Sequence, residues 1–144
     1  MKTKQFDDAK EFLRRYEYAD LRAKRYEDEY KLEHDLIGSI SINYDGMPHG
    51  NGISRKTEND ALKLAEKAER CVTARLDAIR VRQEVFDLIS DIDGVEGEIL
   101  YQRYIKLLKW EAVCIVVHLS WYAVHDHHKK ALAIVQKRLD EKSI

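Results

Sequence analysis

Cys114, His118, His125 and His128 are the side chains whose types and spacing first invite chemistry. Cys114 and His118 stand one helical turn apart and His125 and His128 three residues apart, spacings that a zinc ion accepts. A chain reversal separates the two pairs, however, and Cys114 is expected to point into a helix core. A core thiol beside ordinary surface histidines is therefore the expectation, with no metal and no cofactor. No nucleophile, base and orienting group can be assembled elsewhere, so the chain does not read as an enzyme. A second set is better suited to contact than to catalysis: Ser120, Trp121, Tyr122, His125 and Lys129, with Lys130 and Lys109 nearby. On the outer face of a helix start, aromatic, imidazole and ammonium groups of this kind reach base edges in a DNA major groove. The Ser120 hydroxyl and the three lysines suit phosphates, and Lys106 and Arg103 extend the cationic set.

These residues need a helix, a tight turn and a second helix to present them. The run WEAVCIVVHLSWYAVHDHHKKALAIVQKRL, Trp110 to Leu139, has that form, with its turn at Val117-His118-Leu119-Ser120. Ser120 occupies a helix N-cap position, and Val124, Ala131, Val135 and Leu139 recur after it at helical spacing. In the shorter helix Val113, Val116 and Val117 are expected to face inward, with Glu111 outward. His118 stands where a left-handed backbone is expected, a conformation His tolerates better than most residues with a Cβ. His127 is expected on the inward side, beside Val124 and Ala131. Trp121 and Tyr122 have a second reading, as core or dimer-interface residues.

Length and composition suit this architecture. A chain of 144 residues, 35% charged and 44% hydrophobic, with one proline and six glycines, points to long helices and to a core that needs no disulfide. The fold class expected is all-α. No apolar run approaches the roughly 20 residues of a membrane span, and MKTKQFDDAKEF lacks the apolar middle of a signal peptide. The expected location is the cytoplasm, where Cys71 and Cys114 stay unpaired. Net charge is -1, but residues 95 to 144 hold 8 Lys and Arg against 6 Asp and Glu, together with four of the six histidines. The last third is the cationic part, a weak electrostatic footprint for a nucleic-acid partner.

The remainder reads as a helical hairpin. Ala9, Phe12, Tyr16, Ala19, Ala23, Tyr26, Tyr30 and Ile37 follow steps of three and four broken only at Glu33, a coiled-coil seam over a helix of about residues 6–37, roughly 45 to 50 Å long. Residues 38–54, GSISINYDGMPHGNGIS with an N-terminal glycine, hold four glycines and the proline and read as the connecting loop, with 40–44 able to run extended. The loop lacks the pattern of a phosphate cradle. A second helix is expected over about 57–92, started by Thr57 and Asp60 as a capping box, with Ala61, Leu64, Ala68, Val72, Ile79, Phe86 and Ile89 facing one way and Ala65, Leu76 and Val85 beside them. The organisation expected is a hairpin over 1–93 and a three-helix unit over 94–144, whose tail frays after Leu139. The exposed tyrosines of the first helix point to a homodimer.

LYQRYIKLLKWEAVCIVVHLSWYAVHDHHKKAL is similar to region four of bacterial housekeeping sigma factors, through Arg103-Tyr104, Ser120 with Val124, and Lys130-Ala131-Leu132. With the long first helix and Asp45-Gly46-Met47-Pro48-His49-Gly50, the chain resembles small proteins of phages and prophages of Gram-positive bacteria, akin to the RinA and ArpU groups. The resemblance covers about 90% of the chain and implies a sigma-like transcriptional regulator acting on promoter or operator DNA in a bacterial host. It departs from the sigma pattern where Trp121, Tyr122 and Ala123 replace the Arg and Glu of the recognition helix's first turn. Two other readings stay open. One is a module that docks RNA polymerase or a phage protein through Trp121 and Tyr122, and the other a phage structural or packaging component.

Overall fold

The computed structural model describes residues 7–42 and 52–142, the side chains of 39–42 and 52–55 excepted. Its elements are α1 (Asp7–Ile42), α2 (Gly52–Ile89), α3 (Gly94–Leu100), a π turn over Tyr101–Ile105, α4 (Trp110–Val117) and α5 (Trp121–Lys142). The fold is all-α, and no strand occurs among the described residues. None of the described helices is long and apolar enough to cross a membrane. The chain divides into two compact units, one joining Met1–Ala19 to Ala78–Ile144 and the other formed by Asp20–Asp77.

Several element limits differ from the sequence reading. Helix α1 continues through Gly38 and over Ile40-Ser41-Ile42, where a loop or a short extended run was expected. One glycine lowers helix stability by only about 1 kcal/mol, and a five-residue alternation is too short to overrule the helix before it. Gly52, expected in the loop, is the first residue of α2, so Thr57 lies inside that helix and not at its cap. The Asp45 to Gly50 motif lies outside the described residues. Helix α2 stops at Ile89, before the Ile92 expected, and α5 runs on to Lys142, past the Leu139 expected.

Within Asp20–Asp77 the two helical segments run antiparallel. Their seam is narrow, with Ala23 and Ala74 buried, and ion pairs take the place of large apolar side chains. Arg75 lies 2.8 Å from Asp20 and 2.8 Å from Glu27, and Lys67 lies 3.3 Å from Glu33. Burial alone would raise the Asp20 carboxyl, but hydrogen bonds from Arg75 and Lys24 outweigh it and hold the group below its usual value. The Cys71 thiol donates to the Tyr26 carbonyl at 2.9 Å. The face assigned to α2 from sequence is therefore only partly right in this half, since Leu64 and Ala68 are half-buried but Ala61 is exposed. Val72 and Leu76 are exposed, whereas Ala74 packs inward and Lys67 and Arg75 reach across to acids of α1. Hydrophobicity misassigned Val72 and Leu76 because alanine permits close approach and the ion pairs sit beside it.

The other unit holds the larger core. Leu13, Val85, Leu100, Leu132 and Val135 are fully buried together, with Ala9, Val81, Leu88 and Ile89 around them. The sequence boundary between residues 93 and 94 thus does not separate the compact units, since the start of α1 and the end of α2 share apolar surface with α3 and α5. Side chains of α5 also close two helix ends. Gln136 Oε1 accepts the Ala9 backbone N–H at 3.1 Å, and Arg138 donates to the Leu88 carbonyl at 2.8 Å and pairs with Asp91. Ile79, also expected on the buried face of α2, is exposed, and Ala78 is the buried residue beside it.

Candidate functional site

The C-terminal helices are positioned from α3 onward. Asp93 leads into α3, and Gly94 takes a φ of +78°. After Leu100 the helix widens into the π turn, where the Lys106 N–H reaches the Tyr101 carbonyl at 3.0 Å. Leu107, at φ 58°, then reverses the backbone, and the Leu108 N–H bonds back to the Gln102 carbonyl at 3.1 Å. Helix α4 ends at His118, which adopts the left-handed conformation that the turn requires, φ 58° and ψ 40°. Its neighbour Leu119 donates to the Cys114 carbonyl at 3.2 Å. Ser120 caps α5, its hydroxyl accepting the Ala123 N–H at 3.2 Å, a contact worth about 1 kcal/mol to a helix. Ile99, Val113 and Val124 are buried together, with Leu108, Trp110, Cys114, Val117 and Leu119 packed on them. Helices α4 and α5 therefore form a helix-turn-helix around a small core of their own.

The outer face of this motif carries most of the residues singled out from sequence. Trp121 is 53% and Tyr122 83% exposed, so neither belongs to the core of the chain itself. Lys129 is exposed, and Lys130 is exposed but lies 3.6 Å from Asp126, which partly neutralises it. Lys109 is exposed at the N-terminal end of α4. His125 is half-buried, its ring centroid 4.5 Å from that of Trp121 and 4.7 Å from that of Trp110. Arg103 turns inward instead of extending the cationic surface. It donates to the Leu108 carbonyl at 3.3 Å, lies 3.7 Å from Glu17, and its guanidinium sits over the Tyr104 and Trp110 rings.

One inward assignment needs correction and a second needs refining. Val116 was expected in the core and is 43% exposed, and Ile115 beside it is 74% exposed, because Val113 and Val117 already fill the contact with α5. His127 was expected as a partly buried residue on the inward side of α5, and it is half-buried, but against Glu96 and not in the core. It lies at the edge, with Nδ1 3.0 Å from Glu96 Oε1, and its hydrogen bond holds the Glu96 carboxyl below the usual range. The buried histidine is His128, whose Nε2 lies 2.7 Å from the Tyr104 hydroxyl. Burial lowers the His128 imidazole to about 3, helped by His125 and nearby cations, and pushes the Tyr104 phenol up to about 12. With Nε2 unprotonated, a neutral His128 accepts a hydrogen bond from the Tyr104 hydroxyl, and the buried pair ties the π turn to α5.

Among the described residues no three His, Cys, Asp or Glu side chains converge on a point where a metal ion could sit. The helix-turn-helix leaves Ile115 and Val116 of α4 and Trp121 and Tyr122 of α5 exposed, with Lys129 and Lys130 exposed further along α5. Side chains of these types bind by shape, stacking and charge. Compared with known proteins, the chain matches no family model, no curated protein and no solved structure.

Proposed function

We propose that the chain is a DNA-binding transcription regulator of phage type, with α5 as the helix that enters the major groove. The observation that carries this reading is the outward presentation of Trp121, Tyr122 and Lys129 from a capped helix that follows a tight left-handed turn. Trp121 and Tyr122 pack on thymine methyls and sugars, His125 reaches from beneath Trp121, and Lys129, Lys130 and Lys109 neutralise phosphates. Ser120 spends its hydroxyl on the cap. The test is fluorescence anisotropy with DNA from upstream of the protein's own gene over a salt series. Binding is expected to weaken steeply with salt. In the double variant Lys129→Glu with Lys130→Glu it is expected to fall at least about tenfold, with a salt slope shallower by about 2. An absence of binding at low salt sinks the reading.

A second reading has its own support. Ile115, Val116, Trp121 and Tyr122 expose more apolar surface than base contact needs, and aromatic anchors of this kind favour a protein partner such as RNA polymerase. Under that reading, recovery of polymerase from a host lysate survives nuclease treatment and is lost in Trp121→Ala.

A further inference from the structure

Within Asp20–Asp77, α1 carries a second apolar stripe that the hairpin leaves uncovered. Leu21, Leu32 and Leu36 are 50%, 55% and 51% exposed. At 3.6 residues per turn they share an arc of about 80° with Arg25 and Asp28, on the side opposite Ala23 and Tyr30, which face α2. The steps from 21 to 25, 28 and 32 are four, three and four, the spacing of a coiled-coil seam. Arg25 and Asp28 lie at its centre, and neither makes an ion pair or hydrogen bond with another described residue.

We propose that this stripe is the interface with a second copy of the chain, packed antiparallel on the same stripe about a two-fold axis between residues 26 and 27. In that register Leu21 meets Leu32 of the second copy, and Arg25 meets its Asp28, each contact occurring twice. The flanking charge agrees. The exposed cations Arg22, Lys24 and Arg25 precede the axis, while the exposed acids Glu27, Asp28, Glu29 and Asp35 follow it together with Lys31. Lys24 and Glu29 are partly engaged by Asp20 and Lys67 within the hairpin, so it is chiefly Arg25 and Asp28 that reversing the second copy sets against unlike charge. A parallel pair would oppose Arg25 to Arg25. The exposed stripe of α2, Leu62, Val72 and Leu76, paired antiparallel with itself would bring Glu69 against Glu69 at its axis. Of these self-pairings, the antiparallel α1 register alone combines leucine-to-leucine contacts with unlike charges at its centre.

Sedimentation velocity on the full chain tests this. The wild type is expected to be a dimer. Arg25→Asp is expected to weaken it at least about tenfold, because the two-fold turns two attractive pairs into two repulsive ones. Adding Asp28→Arg to that variant is expected to restore the dimer, a rescue that a merely structural effect would not give. Leu32→Glu is expected to give a monomer of unchanged helix content. A monomeric wild type, an Arg25→Asp dimer as tight as wild type, a double variant that stays monomeric, or dissociation by Val72→Asp but not by Leu32→Glu each overturns the proposal. No DNA enters the measurement, so its failure leaves the reading of α5 untouched.

Discussion

Gly97→Ala is expected to lower stability by at least about 3 kcal/mol and the melting temperature by roughly 10 °C. A Cβ at position 97 would stand 1.8 Å from the Ile92 carbonyl oxygen and 2.8 Å from its carbon. Both are backbone atoms, so no side-chain rotation relieves the contact. The backbone has little room to yield, because Ile99 and Leu100 follow in the same helix and are fully buried. Gly94→Ala is the control: its Cβ meets only the Glu96 carboxylate at 3.5 Å, and its strain is that of a residue at φ +78°, about 1 to 2 kcal/mol. Thermal unfolding followed by circular dichroism at 222 nm compares the two. A Gly97→Ala protein no less stable than Gly94→Ala would show that the close approach of α3 to Ile92 is not as described.

The second large effect is a loss of stability in mild acid, and it comes from His128. Its folded value of about 3 lies below the ordinary 6.5 of an unfolded chain, so between these values the unfolded state binds the extra proton. The stabilisation from keeping this imidazole neutral is complete above pH 6.5 and declines as pH falls toward 3. At pH 5 the loss from this one group is about 2 kcal/mol. Denaturant unfolding between pH 7.5 and 5 should show the slope, and His128→Phe, which cannot take up a proton, should flatten it while costing the Tyr104 hydrogen bond at every pH. A slope that persists unchanged in His128→Phe would assign the acid sensitivity to other groups.

The legibility of this chain in its sequence follows the range of the forces involved. Spacing of three and four announced the long helices, and the turn at His118 with the cap at Ser120 was readable because caps and left-handed turns are local chemistry. Helix faces were harder. Over Asp20–Asp77 the α2 segment carries two stripes, and the one that pairs with α1 is the less hydrophobic, chosen by Ala74 and by Arg75 reaching Asp20. The histidines of α5 show the same limit at finer scale. His127 and His128 differ by one step of about 100°, and what selects His128 for burial is Tyr104, 24 residues away on a π turn that nothing in YQRYI announces. At the candidate site the residues on the outer face of α5 were found from sequence because a helix start displays its own first turn. Arg103 was misplaced because its partners Leu108, Glu17 and Trp110 come from three separate segments.

The chain has two tryptophans, and the rings of both lie against the same imidazole, that of His125. Trp110 is also flanked by His128 at 4.6 Å and by the Arg103 guanidinium, whereas Trp121 stands half-exposed at the surface it offers to a partner, so it is the emission of Trp121 that a partner would change. The molecule carries an unlabelled optical gauge at its own contact face, sensitive to anything that lifts Trp121 away from the imidazole beneath it.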